Sequence, residues 1–208
     1  MMKHFTRVLV LLAMLLQFAS PSYASLDFHV DVNTGVLIGN TNGPFWLDFQ
    51  LNGGGPIANT ATISNFSFGP GGSGTAGTEN YFGNSTGSLG ASVLLTSGTI
   101  PFNEFFQGFT PGCMLGFDVS LTTGVNLTPD AFAFAILDAN TFNITTNGLG
   151  DSLLLVNLDG SFPALLAFAG AGNYAGVTVT AIPEPDILLL VLTSLAGLCL
   201  IRRRQRGG

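Results

Sequence analysis

Between Ser25 and Ile182, segment after segment places an apolar side chain at every second position. Phe28, Val30 and Val32 alternate with Asp27, His29 and Asp31, and Phe45, Leu47, Phe49 and Leu51 alternate with Trp46, Asp48 and Gln50. Leu115, Phe117, Val119 and Leu121 do the same with Gly116, Asp118, Ser120 and Thr122, and Phe132, Phe134 and Ile136 with Ala131, Ala133 and Ala135. Successive side chains on a strand point to opposite faces, so this period predicts strands with one buried face. In Ala61 to Phe68 the phase slips between Ile63 and Phe66, which predicts a bulge near Asn65. Leu153 to Leu158 is apolar on both faces and reads as a central strand. Asp159-Gly160 then offers a tight turn into Phe162 to Phe168, and Val177 to Val179 makes the last strand. Gly69 to Gly90 lacks periodicity and is expected to form a long mobile loop or a pair of weak edge strands. Roughly ten short strands separated by Gly, Asn and Pro point to an all-β domain. The expected form is an antiparallel β-sandwich of jelly-roll type, with the phenylalanines as its core.

Charge narrows the partners. All six bases (Lys3, Arg7, Arg202, Arg203, Arg204 and Arg206) lie outside this stretch, whereas ten of the twelve acids lie within it. A domain with no Lys or Arg repels phosphate backbones, which excludes nucleic acid, and it has no cationic clamp for an anionic substrate.

The ends read as addresses. Met1 to Ala24 has a basic start at Lys3 and Arg7, an apolar run from Val8 to Leu16, and small residues before Ser25. That is the pattern of a secretory signal peptide cut between Ala24 and Ser25 by signal peptidase after passage through the Sec translocon. Nine helical residues rise only about 14 Å, too little to span a hydrocarbon core of about 30 Å. At the other end, Pro183-Glu184-Pro185 precedes the apolar run Ile187 to Ile201, and Arg202, Arg203, Arg204 and Arg206 follow. The run is expected to be a short transmembrane helix, marginal at about 22 Å. By the positive-inside rule the arginines stay cytoplasmic and the domain lies on the far side. The chain therefore divides into a signal peptide (1–24), an exported β-sandwich (25–181) and a tail (182–208).

Pro-Glu-Pro, a hydrophobic segment and a terminal arginine cluster, in that order, resemble the PEP-CTERM sorting signal of exported bacterial proteins. The resemblance implies recognition at Pro183, Glu184 and Pro185 by exosortase, a membrane-embedded cysteine peptidase. Ile187 to Ile201 would be the transient anchor, and Arg202, Arg203, Arg204 and Arg206 the membrane stop. Asp186 stands where a small neutral or hydroxyl residue is more usual. Gly43 to Asn52, Ala61 to Phe68, Phe102 to Thr110 and Pro129 to Asp138 are similar to a group of PEP-CTERM proteins of about this length. That second resemblance carries no functional residues with it.

Chemistry inside the domain is sparse. His29 is its one histidine, no G-x-S-x-G elbow is present, and Gly69 to Gly74 matches G-x-G-x-x-G only outside any βαβ context. Cys113 is expected to be a buried free thiol, since Cys199 lies in the anchor. One His and one Cys cannot assemble a zinc site. No catalytic residue and no cofactor are therefore expected. Calcium is the one ligand metal worth weighing, with Asp27, Asp31, Asp138, Asn140 and Asp151 as candidate oxygen donors. The expected role is a non-enzymatic, exosortase-processed structural protein of the cell surface or of a biofilm matrix, in contact with exopolysaccharide. The alternative is a carbohydrate- or calcium-binding envelope module, and a hydrolase stands third.

Overall fold

The computed structural model describes residues 25–144, 146, 152–158, 164–167 and 176–182. The signal segment with Ala24, the tail with Pro183, Glu184, Pro185, Arg202, Arg203, Arg204 and Arg206, and also Asp151 and the Asp159-Gly160 turn, lie outside the described residues.

The described chain is all-β, with one 3-10 turn at Gly35–Leu37. Its strands are β1 (Ser25–Asn33), β2 (Phe45–Asn52), β3 (Thr60–Ser67), β4 (Ser73–Gly74), β5 (Asn80–Phe82), β6 (Ser85–Gly87) and β7 (Ser92–Thr96). They continue with β8 (Phe102–Thr110), β9 (Met114–Thr122), β10 (Asp130–Leu137), β11 (Leu154–Leu158), β12 (Ala164–Ala167) and β13 (Val177–Ala181). Two antiparallel sheets result. One runs β13-β1-β9-β3-β7-β6, and the other runs β12-β11-β10-β2-β8-β4 with β5 also paired to β8. From β1 to β4 the chain changes sheet at every connection, and it does so again from β7 to β10.

The period-two pattern is what buries these strands. Phe28, Val30, Val32, Leu47, Phe49, Leu51, Leu115, Phe117, Val119, Leu121, Phe132, Phe134 and Ile136 are all 0–1% exposed. They face each other between the sheets. Phe49 on β2 stands edge-on to Phe117 on β9 with centroids 5.3 Å apart, and Phe134 on β10 lies 4.9 Å from Phe49 and 5.0 Å from Phe117. Burying each ring is worth about 2–3 kcal/mol, and the edge contacts add to that. Not every phenylalanine is core: Phe82, Phe102 and Phe142 are exposed.

The bulge is where the phase slip places it. The β3–β9 register shifts between Ser64 and Ser67, and Asn65 takes a φ of 50°. The extra residue turns Phe66 back toward the core, where it stacks on Phe117 at 5.5 Å. β11 lies between β10 and β12, as a central strand should, although only alternate residues of it are fully buried. The Gly69 to Gly90 segment takes the second of its two expected forms, supplying the short strands β4, β5 and β6 at the sheet edges.

One expectation is overturned. Cys113 is exposed. Continuing the β9 alternation backward from Leu115 would point it inward, but Pro111, Gly112 and Cys113 form the corner that carries the chain from one sheet to the other. There the Cys113 backbone is tied down, its N–H donating to Pro70 and its carbonyl accepting from Thr34 and Gly35, while the thiol faces out.

At one end of the sandwich a polar knot closes the core. Asp130 is fully buried. Its Oδ2 accepts from Asn59 Nδ2 (2.9 Å) and Ser97 Oγ (2.5 Å), and its Oδ1 accepts from Asn126 Nδ2 (3.3 Å). Asn59 and Asn126 also bond the backbone at Gly124 and Ile57, so one carboxylate organises three loops. Gly53 packs directly on the Asp130 carboxylate, where a Cβ would collide with it. Asp130→Ala strands three buried donors and is expected to cost about 3–5 kcal/mol in denaturant unfolding. A loss below about 1 kcal/mol would show that the knot is not structural.

Candidate functional site

The outer face of the seven-stranded sheet has uneven relief. β10 presents Ala131, Ala133 and Ala135 there, beside Trp46, Asp48 and Gln50 on β2 and Glu104 and Phe106 on β8. The register sets Asp48 between Ala135 and Phe106, and Gln50 opposite Glu104. This face holds a cleft of about 320 Å³, walled on one side by Thr141 and Asn143 from the turn after β10. Asp48, Gln50, Glu104, Phe106 and Leu137 form the rest of its lining, and Trp46 meets Phe106 edge-on with centroids 5.7 Å apart.

Although it points away from the core, Asp48 is only 3% exposed. Its Oδ2 accepts from Gln50 Nε2 (2.7 Å), which also reaches Glu104 Oε1 (3.4 Å), and Asn52 Nδ2 donates to Gln50 Oε1 (3.3 Å). Its Oδ1 is buried and has no hydrogen-bond partner. Burial, followed by the neighbouring Glu104 charge, pushes the Asp48 carboxyl up to about 7, against a weaker downward pull from Gln50. Burial raises Glu104 too, opposed by its hydrogen bonds to Asp48 and Gln50. Two carboxyl groups that share one site cannot both ionise cheaply, so a single proton held between them is the favoured state near neutrality.

The other sheet carries a second polar cluster. His29 lies across from Asp118, Nδ1 to Oδ1 at 2.5 Å, and its Nε2 is 3.3 Å from Asp31. Asn65, projected by the bulge, donates to Asp118 Oδ2 at 2.7 Å. The Asp118 hydrogen bond raises the His29 pKa, with burial opposing it and Asp31 adding to it. Asn65 first, and then His29, lower that of Asp118. The cluster is self-satisfied and half-exposed, which suits a surface clasp between β1, β3 and β9.

Among the described residues, the sequence-derived calcium donors do not converge. Asp27 and Asp31 lie on the outer face of the six-stranded sheet, and Asp27 Oδ2 accepts from Ser25. Asp138 spends its Oδ1 on the backbone N–H groups of Asn140 (2.8 Å) and Phe142 (3.0 Å), capping the turn after β10, and those bonds lower its pKa. Among the described residues, no three His, Cys, Asp or Glu side chains gather as a metal group. The Asp48–Glu104 pair escaped the sequence reading because it depends on the β2–β8 register. Its one legible signal was two acids at outward positions of apolar strands.

No family model matches the chain, and no curated protein or solved structure is similar to it. The cleft geometry therefore carries the functional argument.

A pH dependence follows from these shifts. Unfolded, Asp48 ionises near 3.8, and folded near 7, so across that window the folded protein holds the extra proton and stability falls as pH rises. His29, raised above 6.5, adds a loss in the same direction at the upper end of the window, whereas the lowered Asp118 and Asp138 cost stability only in acid, as pH falls through their folded values. Melting temperature is expected to drop between pH 5 and pH 8 in metal-free buffer, and Asp48→Asn is expected to flatten most of that slope. An unchanged slope in the variant would contradict the assignment.

Proposed function

We propose that this chain is an exported protein of the cell envelope or extracellular matrix. It is sent out by Sec, held briefly in the inner membrane, and processed by exosortase at Pro183-Glu184-Pro185. Its domain, read as a jelly-roll-like sandwich, contacts exopolysaccharide without catalysing its turnover. The pairing β1–β9–β3–β7 facing β2–β8–β4 supports the jelly-roll reading.

The cleft is the observation that carries the role. An aromatic pair, Trp46 and Phe106, stands beside amide and carboxyl groups on the outer sheet face, which is how an apolar sugar face and its hydroxyls are met together. With ten acids and no base in the exported stretch, the favoured ligand is an uncharged glycan. Binding is preferred to cleavage because Asp48 and Glu104 lie side by side beneath one Gln50 amide. Glycosidase carboxyls stand about 5 Å or more apart, on either side of the scissile bond. β13 runs antiparallel to β1, and Ile182 N–H donates to Asp27 next to the first strand's start. Ile182, the last described residue, thus lies at the end of the sandwich that holds the Asp130 knot, and the cleft's Thr141 wall lies toward the opposite end.

Two measurements test the reading. Replacing Glu184 and Pro185 by alanine is expected to leave a larger, membrane-retained form, and a mature size indifferent to the change would refute exosortase handling. On a panel of neutral and acidic polysaccharide fragments, the protein is expected to bind neutral ones at micromolar concentration and to lose about tenfold with Trp46→Ala, roughly 1.4 kcal/mol. Absence of binding across the panel would remove the glycan role.

A further inference from the structure

We propose that the Asp48–Glu104 cleft is a binding site for a hard divalent cation of the calcium class, with the two carboxylates as its charged ligands and the Gln50 carboxamide as a neutral one. The site shares the cleft with the glycan reading and does not depend on it.

Three observations converge. The first is the orphaned oxygen. Asp48, which lines the cleft, is 97% buried, yet its Oδ1 meets no donor. A buried carboxylate oxygen without a donor is costly, and native proteins almost always satisfy one. The second is the absence of any protein cation to serve it. The exported stretch holds no Lys or Arg, and its single histidine is committed to Asp118 and Asp31 on the other sheet. Neutralisation has to come from solution, as a proton or as a metal ion. The third is the donor set. Asp48, Glu104, Gln50, Thr141 and Asn143 all offer oxygen to one cleft, with no thiol or imidazole in its lining, a set that suits calcium and disfavours zinc or copper.

The cleft is open enough for water to complete a coordination shell of six to eight oxygens, a number calcium accepts in irregular geometry and magnesium does not. The Gln50 amide now turns its nitrogen toward both carboxylates. Reversing it presents oxygen instead and exchanges its hydrogen bonds to Asp48 (2.7 Å) and Glu104 (3.4 Å), with the 3.3 Å bond from Asn52, for a bond to the cation. Proton and cation compete for the same oxygens. Glu104 on β8 is the one titratable group facing Asp48 among the described residues of the cleft, since β10 sets Ala135 opposite it and the turn contributes only Thr141 and Asn143.

The test uses the full chain in mild detergent, stripped with EDTA and titrated with calcium chloride alone, with no sugar present. At pH 8, millimolar calcium is expected to raise the melting temperature by about 5 °C, reversibly with EDTA, and calorimetry is expected to show one ion bound. At pH 5, where the shared proton occupies the pair, affinity is expected to fall at least tenfold. Asp48→Asn and Glu104→Gln keep the shape and relieve the buried charge, so both are expected to fold and to lose the calcium response, while Asp31→Asn on the other sheet retains it. No binding by the parent chain at pH 8 would overturn the proposal. So would binding undiminished in Asp48→Asn, or magnesium acting as strongly as calcium. Glycan affinity measured separately leaves these outcomes untouched, so the two readings fail independently.

Discussion

Ten carboxylates share one domain with no lysine or arginine, and that shortage of positive charge shapes every polar feature of the molecule. A buried carboxylate is tolerated only where donors or a counter-charge meet it. Asp130 is met by Asn59, Ser97 and Asn126, Asp118 by His29 and Asn65, and Asp138 by two backbone N–H groups. Asparagine and serine take the place that arginine holds elsewhere. Asp48 is the deeply buried acid for which this arrangement falls short: Gln50 serves one oxygen and nothing serves the other.

The same composition explains why the sheets need so little charge to cohere. Alternation delivers one continuous apolar layer, with Phe49, Phe117 and Phe134 in mutual contact at its centre. Polar loops then have only to close the two ends. At one end the Asp130 knot does so, fixing the loops beside the strands through which the chain enters and leaves the domain. On the face of the second sheet, the long side chains of β2 and β8 meet Leu137 of β10 and the turn that follows it to enclose the cleft. The cleft is thus built largely on paired strands, rigid elements well suited to hold a ligand.

How far the sequence foretold this differs between fold and site. Strand positions and buried faces were legible because period two leaves a local signature, and the Asn65 bulge was legible because a phase slip is local too. Cys113 misled because alternation stops at the corner after Thr110, where Pro111 and Gly112 redirect the chain. The Asp48–Glu104 pair and the His29–Asp118 clasp depend on which strands become neighbours, a non-local matter that one sequence does not encode at any fixed spacing. Asp27, Asp31, Asp138 and Asn140 drew attention as oxygen donors near turns, yet their oxygens are engaged close by or are dispersed over two sheets.

The account turns on Asp48 and Glu104 sharing a proton near neutrality, where an ordinary pair of carboxylates is fully ionised. Side-chain carboxyl carbon shifts followed by NMR across pH 3 to 9, in metal-free buffer, read that directly. The account predicts that Asp48 titrates near 7, coupled to Glu104, while Asp118 titrates below the ordinary aspartate range. An Asp48 resonance that titrates near 4, independently of Glu104, would contradict it.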